Sequence, residues 1–154
     1  MSKSLVRLDG TGLRIAIVAS RFNDLIVERL VDGATEALTS HGVGIGDLTT
    51  VWVPGAWELP VVAQRLASSG RFDAVVALGA VIKGSTDHYT HVAGQCAAGL
   101  MRVQLESRLP VSFGVLTTET IEQCIERAGT KAGNKGIEAA MAALEAALVL
   151  RSIG

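Results

Sequence analysis

The stretch that decides the fold is AVVALGAVI, residues 74–82, followed directly by KGSTDH, residues 83–88. An almost unbroken apolar run of this length is typical of a buried strand that is covered by helices on both faces. The run contains a glycine and is less than half the roughly 20 residues that a membrane-spanning helix needs. It therefore predicts the central strand of a parallel sheet and excludes a membrane segment.

Segments of strand and helix character alternate on both sides of this stretch. Three more short apolar runs predict strands at 14–19, 49–53 and 111–116. Apolar residues spaced three and four apart predict three helices at about 23–42, 60–70 and 88–105. Asn23 is the expected N-cap of the first of these, and Pro60 suits the first turn of the second.

Two further helices are expected in the C-terminal part of the chain. Thr117 and Thr118 are predicted to cap the first of them, with Ile121 and Ile125 on its inner face. The apolar face of the second is marked by Ile137, Met141, Leu144 and Leu148. Parallel strands need crossover connections, so the whole pattern predicts a four-stranded parallel sheet flanked by helices, a three-layer α/β sandwich.

Length and composition limit the class of protein. The 154 residues are expected to form one domain, residues 1–154, with residues 1–12 as an N-terminal arm. Hydrophobic residues make up 49% and charged residues 19%, which excludes disorder. The mean hydropathy of +0.39 is high for a monomer of this size and predicts an oligomer.

Charge and cysteine content exclude other classes. Fourteen Lys and Arg balance 15 Asp and Glu, with no basic cluster, so no nucleic-acid partner is expected. Cys96 and Cys124 are too few for a disulfide framework and lack the spacing of metal ligands. The first residues carry no apolar signal core, which predicts a cytoplasmic protein with reduced thiols.

Ligands of parallel sheets bind beyond the carboxyl ends of the strands. That rule selects residues 20–23, 54–58, 82–88 and 113–118. Backbone N–H groups of the Lys83–Thr86 segment could bind an anion, with Gly84 allowing close approach. The same segment also fits an ordinary turn with a Ser or Thr cap, and no Walker spacing is present.

Several single residues near these ends have a functional and an ordinary interpretation. His88 could transfer protons beside an anion site, or lie on the surface or cap the helix. Phe22 could stack on a planar ring, or pack on the next helix. Glu58 could accept hydrogen bonds from hydroxyl groups, or favour a helix dipole. Arg127 could bind phosphate through a bidentate contact, or interact with a helix C-terminus.

The remaining basic residues give weaker signals. His91, three residues after His88, could point to the same side. His41 is the expected partner of a helix C-terminal dipole. Lys131 and Lys135 lie in a glycine-rich loop, where such side chains are usually solvated.

Five segments taken together resemble the lumazine synthases. They are SRFN at 20–23, VPGAWELP at 53–60, ALGAVIKGSTDH at 77–88, FGVLTTE at 113–119 and ERAGTKAGNKG at 126–136. The similarity runs from about Arg14 to Leu150 in the family order. It implies a flavodoxin-like sheet and the condensation of 5-amino-6-(D-ribitylamino)uracil with 3,4-dihydroxy-2-butanone 4-phosphate. It implies no cofactor and no metal.

The resemblance also implies roles for individual residues. Phe22 would stack on the pyrimidine, Ala56, Trp57 and Glu58 would hold the ring and ribityl chain, and backbone groups of Ala80, Val81 and Ile82 would read the pyrimidine edge. Ser85, Thr86 and Arg127 would bind phosphate, and His88 would transfer protons. Phe113 of a neighbouring subunit would cover the pyrimidine, with Lys135 nearby.

The family implies a homo-oligomer with active sites between subunits. Its members form pentamers, some of which assemble further into a 60-subunit shell, and riboflavin synthase is an expected partner. The N-terminal arm is expected to pair with a neighbour's sheet. Thr90 and His91 stand where the family usually has an acidic residue and an aromatic, which leaves open a non-catalytic lumazine- or flavin-binding relative. An unrelated phosphate-binding domain explains the five segments less well.

Overall fold

The computed structural model describes residues 6–130 and 133–154. Its sheet has four strands: β1 (Ile15–Ser20), β2 (Leu48–Val53), β3 (Ala74–Ile82) and β4 (Val111–Thr118). All neighbouring strands are parallel, and their order is β2-β1-β3-β4. The order reverses between β1 and β3, which is the flavodoxin-like arrangement and places a crevice at the carboxyl ends of these two strands.

Five helices connect and follow the strands. They are α1 (Asp24–Ser40), α2 (Leu59–Ser68), α3 (His88–Ser107), α4 (Ile121–Glu126) and α5 (Lys135–Ile153). Two single 3₁₀ turns precede β2 and α2, at Ile45–Asp47 and Ala56–Glu58. The predicted three-layer α/β sandwich is thereby confirmed.

The two faces of the sheet bury separate hydrophobic cores. Ile15 and Ile17 of β1 point to the face covered by α1 and α5, whereas Ala16 and Val18 point to the face covered by α2 and α3. Every residue of β1 is buried, as expected for an inner strand with helices on both sides. Two covered faces explain why the inner strands β1 and β3 are continuous apolar runs.

The first turn of α4 differs from the prediction. Thr120, and not Thr117 or Thr118, caps this helix: its side chain accepts a hydrogen bond from the backbone N–H of Gln123 at 3.1 Å. Strand β4 continues to Thr118, because its pairing with β3 extends to the end of that longer strand. The expected inner face is also wrong, since Ile121 and Ile125 are exposed and Cys124 is the buried residue of α4.

The buried face of α5 consists mostly of small residues. Leu144 is fully buried and Met141 and Leu148 pack partly against the core, as predicted, but Ile137 is exposed. Close approach to α1 selects the small residues: a Cβ on Gly136 would overlap the backbone oxygen of Leu30. The contact face is completed by four alanines, Ala139, Ala140, Ala143 and Ala147.

The described part of the N-terminal arm contacts the end of α1. The backbone N–H of Gly10 donates to the His41 oxygen at 2.7 Å, and Leu13 is buried. His41 Nδ1 lies 2.7 Å from the Ala37 oxygen, in the C-terminal position expected for it. Residues 1–5 lie outside the described residues, and pairing of the arm with a neighbour's sheet stays a prediction. None of the helices in 6–130 and 133–154 combines the length and apolarity needed to cross a membrane.

Both cysteine thiols are free and buried, which gives a pH dependence of stability. Burial raises the pKa of the Cys96 thiol from 9.0 to about 11, and burial also raises the pKa of Cys124. The unfolded chain therefore releases thiol protons that the folded chain retains. Because the folded state then binds more protons, the free energy of unfolding should fall as pH rises between about 9 and 11, by at most about 1.4 kcal/mol per unit for Cys96.

Urea unfolding between pH 8 and pH 10.5 measures this dependence, with Cys96→Ala as the matched variant. The variant should be less stable at pH 8, since the substitution leaves a small cavity, but should lose less stability at high pH. Equal losses of stability in the two proteins would contradict the Cys96 thiol as a source of the pH dependence.

Candidate active site

A cavity of about 800 Å³ opens at the carboxyl edge of the sheet, where β1 and β3 end. Three segments form most of its wall: the turn after β1, the loop and 3₁₀ turn after β2, and the end of β3 with the loop and first turn of α3. Most of the residues predicted to bind substrate line it: Phe22, Ala56, Trp57, Glu58, Ala80, Val81, Ile82, Thr86 and His88. This open cavity is thus the crevice that the strand order predicts.

Two aromatic side chains at this cavity are exposed. Phe22 is 71% exposed and Trp57 is 58% exposed. The turn that carries Phe22 is held beside the β2 loop, because the Phe22 N–H donates to the Pro54 oxygen at 3.1 Å. Exposed aromatic rings on a fixed backbone at a cavity are suited to stacking on a planar ligand. The alternative for Phe22, packing against the next helix, does not fit this exposure.

Asn23 joins the turn after β1 to the end of β3. It adopts a left-handed backbone conformation with φ of 63°, which asparagine tolerates better than most residues. It occupies the N-cap position of α1, but its side chain makes no cap hydrogen bond. Instead, Nδ2 donates to the Ala80 oxygen at 3.4 Å.

The end of β3 offers backbone groups to the cavity. β1 pairs with β3 only as far as Leu78, whereas β4 pairs with it to Ile82. The last residues of β3 therefore have one ladder edge without a strand partner among the described residues, and this edge faces the crevice. Backbone N–H and C=O groups at such an edge can read the polar edge of a heterocycle, which is the role expected for Ala80, Val81 and Ile82; the Ala80 oxygen among them already accepts the hydrogen bond from Asn23.

Glu58 both stabilises the local backbone and lines the cavity. Its Oε1 accepts a hydrogen bond from the Gly55 backbone N–H at 3.0 Å, which fixes the 3₁₀ turn. The half-buried side chain also lines the cavity. One carboxylate oxygen therefore positions the group, and the other can accept hydrogen bonds from a ligand.

The loop between β3 and α3 is exposed throughout residues 83–87. Gly84 and Thr86 line the cavity, whereas Ser85 lies in the same loop but is not part of its wall. A Cβ at Gly84 would meet no atom within 4 Å, so the approach to the backbone is open. The loop leads into the 20-residue helix α3, whose N-terminal N–H groups and dipole favour an anion here.

The first turn of α3 brings two imidazoles to the cavity. His88 and His91 are both exposed and both line its wall, together with Tyr89 and Val92. Within the described residues, neither imidazole ring has a hydrogen-bond partner; the His88 backbone N–H donates to Thr86 Oγ1 at 3.4 Å. His88 is the nearer of the two to the 83–87 loop, as a proton-transfer residue beside an anion site must be.

Three predicted site residues line a different cavity. Phe113, Arg127 and Lys135 surround a space of about 350 Å³ along the outer edge of β4. Phe113 is the third residue of β4 and not at its carboxyl end, so its position differs from the one that the strand rule suggested. Arg127 is exposed, and it is not in the wall that carries Thr86 and His88.

A closed loop places Arg127 beside Lys135. The Lys135 N–H donates to the Arg127 oxygen at 2.9 Å, and Ala128 forms an antiparallel bridge with Asn134. Asn134 Oδ1 caps α5 by accepting from the Gly136 N–H at 2.8 Å, and its Nδ2 donates to the Arg29 oxygen at 3.1 Å. Lys131 lies outside the described residues.

Sequence reasoning missed one charged residue of this second cavity. Glu138 lies three residues after Lys135 on the first turn of α5 and lines the same space. A glutamate in the first turn of a helix is common because it interacts favourably with the helix dipole, so no distinct sequence signal marks Glu138 as a functional residue. Among the described residues, no three His, Cys, Asp or Glu side chains are grouped as they would be to hold a metal ion.

Comparison with known proteins agrees with these segments. Residues 12–151 match the family model described as 6,7-dimethyl-8-ribityllumazine synthase. A protein of Nitratidesulfovibrio vulgaris, strain Miyazaki F, is 55% identical over 147 residues, covering 96% of this chain and 94% of that protein. That relative is named 6,7-dimethyl-8-ribityllumazine synthase. With nearly its whole length matched, the chain belongs to the 6,7-dimethyl-8-ribityllumazine synthase family.

Proposed function

We propose that this chain condenses 5-amino-6-(D-ribitylamino)uracil with 3,4-dihydroxy-2-butanone 4-phosphate to form 6,7-dimethyl-8-ribityllumazine, the penultimate step of riboflavin biosynthesis. The enzyme is then a transferase that releases phosphate and water. One observation carries the proposal: a single open cavity combines exposed aromatic rings, an unpaired strand edge, an open loop before a long helix, and a histidine. These are the groups needed for a flat heterocycle beside a phosphate.

The pyrimidine substrate occupies the side of the cavity nearest β1 and the 3₁₀ turn. Phe22 stacks on its ring, and backbone groups of Ala80, Val81 and Ile82 bind its polar edge. Ala56 and Trp57 complete the wall, and the second carboxylate oxygen of Glu58 accepts from ribityl hydroxyls. Support comes from the position of all these residues in one wall.

The phosphate of the second substrate lies at the loop before α3, where Ser85, Thr86 and the backbone N–H groups bind it. The substrate amine attacks the ketone, and loss of water gives a Schiff base. Elimination of phosphate and attack of the second nitrogen on the remaining carbonyl, with loss of a second water, close the ring. His88 accepts protons from the attacking amine and returns them to the departing oxygen.

The complete site needs a second copy of the chain. Phe113, Arg127 and Lys135 of a neighbour cover the substrates, with Phe113 over the pyrimidine and Arg127 on the phosphate. Two observations support this: these residues share a cavity of their own at the edge strand β4, and no Lys or Arg stands among the described residues that line the substrate cavity. A pentamer, which in some members of the family assembles into a 60-subunit shell, provides such a repeated contact.

The wider setting belongs to the same proposal. The reaction needs neither a metal nor an organic cofactor, since each step is an addition or an elimination. The two free thiols agree with a cytoplasmic location. Riboflavin synthase, which consumes the lumazine, is the proposed partner enzyme.

Mixing the purified protein with both substrates tests the proposal. The expected result is formation of the lumazine chromophore together with one phosphate per lumazine, above the rate without protein and absent when either substrate is omitted. Binding of the lumazine without its formation would instead establish a non-catalytic binding protein, the alternative raised by Thr90 and His91 at positions where the family usually has an acidic residue and an aromatic. If the protein neither forms nor binds the lumazine, the result would contradict both the enzyme and the binding protein.

A further inference from the structure

His91 is a polar group of the main cavity that the proposed reaction does not use. Its side chain is exposed, lines the cavity, and has no hydrogen-bond partner in the part of the chain that the structure describes. Its backbone N–H donates to the Asp87 oxygen at 3.3 Å, so the first turn of α3 holds the backbone that carries the imidazole. An imidazole held in this way is available to a ligand.

His91 lies on the side of α3 that faces α2, about 80° around the helix axis from Gly99 and farther from the buried line than His88. The buried line of this helix runs through Val92, Cys96 and Leu100. Gly99 lies to one side of that line and faces α2, since a Cβ there would come within 2.9 Å of the Pro60 side chain. By helical periodicity, His88 and His91 lie on the same side as Gly99. The start of α2 is the turn that carries Trp57 and Glu58, and α3 packs against this turn.

His91 adds a hydrogen-bonding group to this end of the cavity, beside the Glu58 carboxylate and the Trp57 indole N–H. Among the described residues that line the wall, Glu58 is the one carboxylate, and an ionised carboxylate only accepts hydrogen bonds. Each hydroxyl group of a polyol carries one donor proton and two acceptor lone pairs, so a polyol is bound by donors as well as acceptors. A neutral imidazole supplies one donor and one acceptor. His91 also lies farther than His88 from the 83–87 loop, which favours the polyol over the phosphate as its partner.

Resting on the proposed function, we propose that His91 is a substrate-binding residue that hydrogen-bonds hydroxyl groups of the ribityl chain opposite Glu58. It thereby contributes to specificity for the ribityl substituent and takes no part in proton transfer. This role is open to this chain because histidine stands at position 91.

The test compares two ligands and two variants in equilibrium binding, followed by fluorescence. The ligands are 6,7-dimethyl-8-ribityllumazine and the analogue with a methyl group in place of the ribityl chain. His91→Phe should weaken binding of the ribityl ligand about tenfold, which corresponds to one lost hydrogen bond. Binding of the 8-methyl analogue should be unchanged. His91→Gln, which keeps a donor and an acceptor, should recover most of the loss. His41→Gln, at the far end of α1, is the matched control and should bind both ligands as the wild type does.

Steady-state kinetics separate this role from others. His91→Phe should raise KM for the ribitylaminouracil and leave KM for the phosphate substrate and kcat within about twofold. Equal weakening of both ligands, or an effect on the phosphate substrate alone, would overturn the inference. If the wild type makes lumazine but His91→Phe binds it normally, only this inference fails. If the wild type binds lumazine with the predicted discrimination but makes none, the proposed function fails and the role of His91 stands.

Discussion

Replacing Arg127 with alanine is expected to raise KM for the phosphate-bearing substrate by about 100-fold. A guanidinium that binds phosphate with two N–H groups makes charge-assisted hydrogen bonds, and their loss costs about 3 kcal/mol. KM for the ribitylaminouracil should change little. Because Arg127 is exposed and its backbone, not its side chain, closes the 127–135 loop, the variant should fold normally.

Initial rates at varied concentrations of each substrate measure this effect. Arg127→Lys is the matched variant: it keeps the charge but loses the planar fork, so it should recover only part of the affinity lost in Arg127→Ala. Arg65→Ala, an exposed cation on α2 that lies in neither cavity wall, serves as the control for a general loss of positive charge. An unchanged KM for the phosphate substrate in Arg127→Ala would rule out the proposed contact.

Replacing His88 with alanine is expected to lower kcat by about 100-fold without abolishing turnover. A positioned acid or base contributes typically about 10²–10⁴-fold, whereas holding two reactants together can supply about 7–11 kcal/mol. The cavity walls proposed to hold the substrates, including Phe22 and the end of β3, are unaffected by this substitution. Both KM values should therefore stay close to those of the wild type.

Single-turnover and steady-state rates of lumazine formation measure the role of His88. His41→Gln, a histidine at the end of a different helix, is the control and should retain full activity. Complete inactivity of a His88→Ala protein that still binds the lumazine would contradict a reaction carried mainly by proximity.

The inner strands β1 and β3 were predictable from sequence because two covered faces leave a continuous apolar run. The observed β3 has the predicted limits, and β4 differs by two residues at its end. The six-residue helix α4 was less predictable, since its burial depends on a single residue, Cys124, and a pattern cannot be read from one position. On α5 the large apolar residues suggested the inner face, but the close contact at Gly136 favours alanines there.

The candidate site was predictable to a different extent. Residues at the ends of β1, β2 and β3 are brought together by the topology alone, so Phe22, Glu58 and His88 share a cavity. Arg127 and Phe113 lie elsewhere because β4 is an edge strand whose outer side is open. The local sequence does not indicate which cavity a surface residue lines, and Glu138 was missed for the same reason.

The division into two cavities is the main structural result for function. In a ring of identical subunits, the cavity at β1 and β3 of one copy can face the cavity at β4 of the next. Each copy then contributes His88 to one site and Arg127 to another. Variants of the two residues could then complement each other in a mixed oligomer, whereas variants of two residues in a one-chain site could not.

Activity of mixed oligomers tests this account most directly. His88→Ala and Arg127→Ala proteins are unfolded together, refolded in equal amounts and assayed at low phosphate-substrate concentration. Random mixing gives about a quarter of the contacts two intact halves, so the mixture should recover about a quarter of wild-type activity, far above either variant refolded alone. Activity no greater than the mean of the two variants would show that His88 and Arg127 serve the same site within one chain and would contradict the shared site.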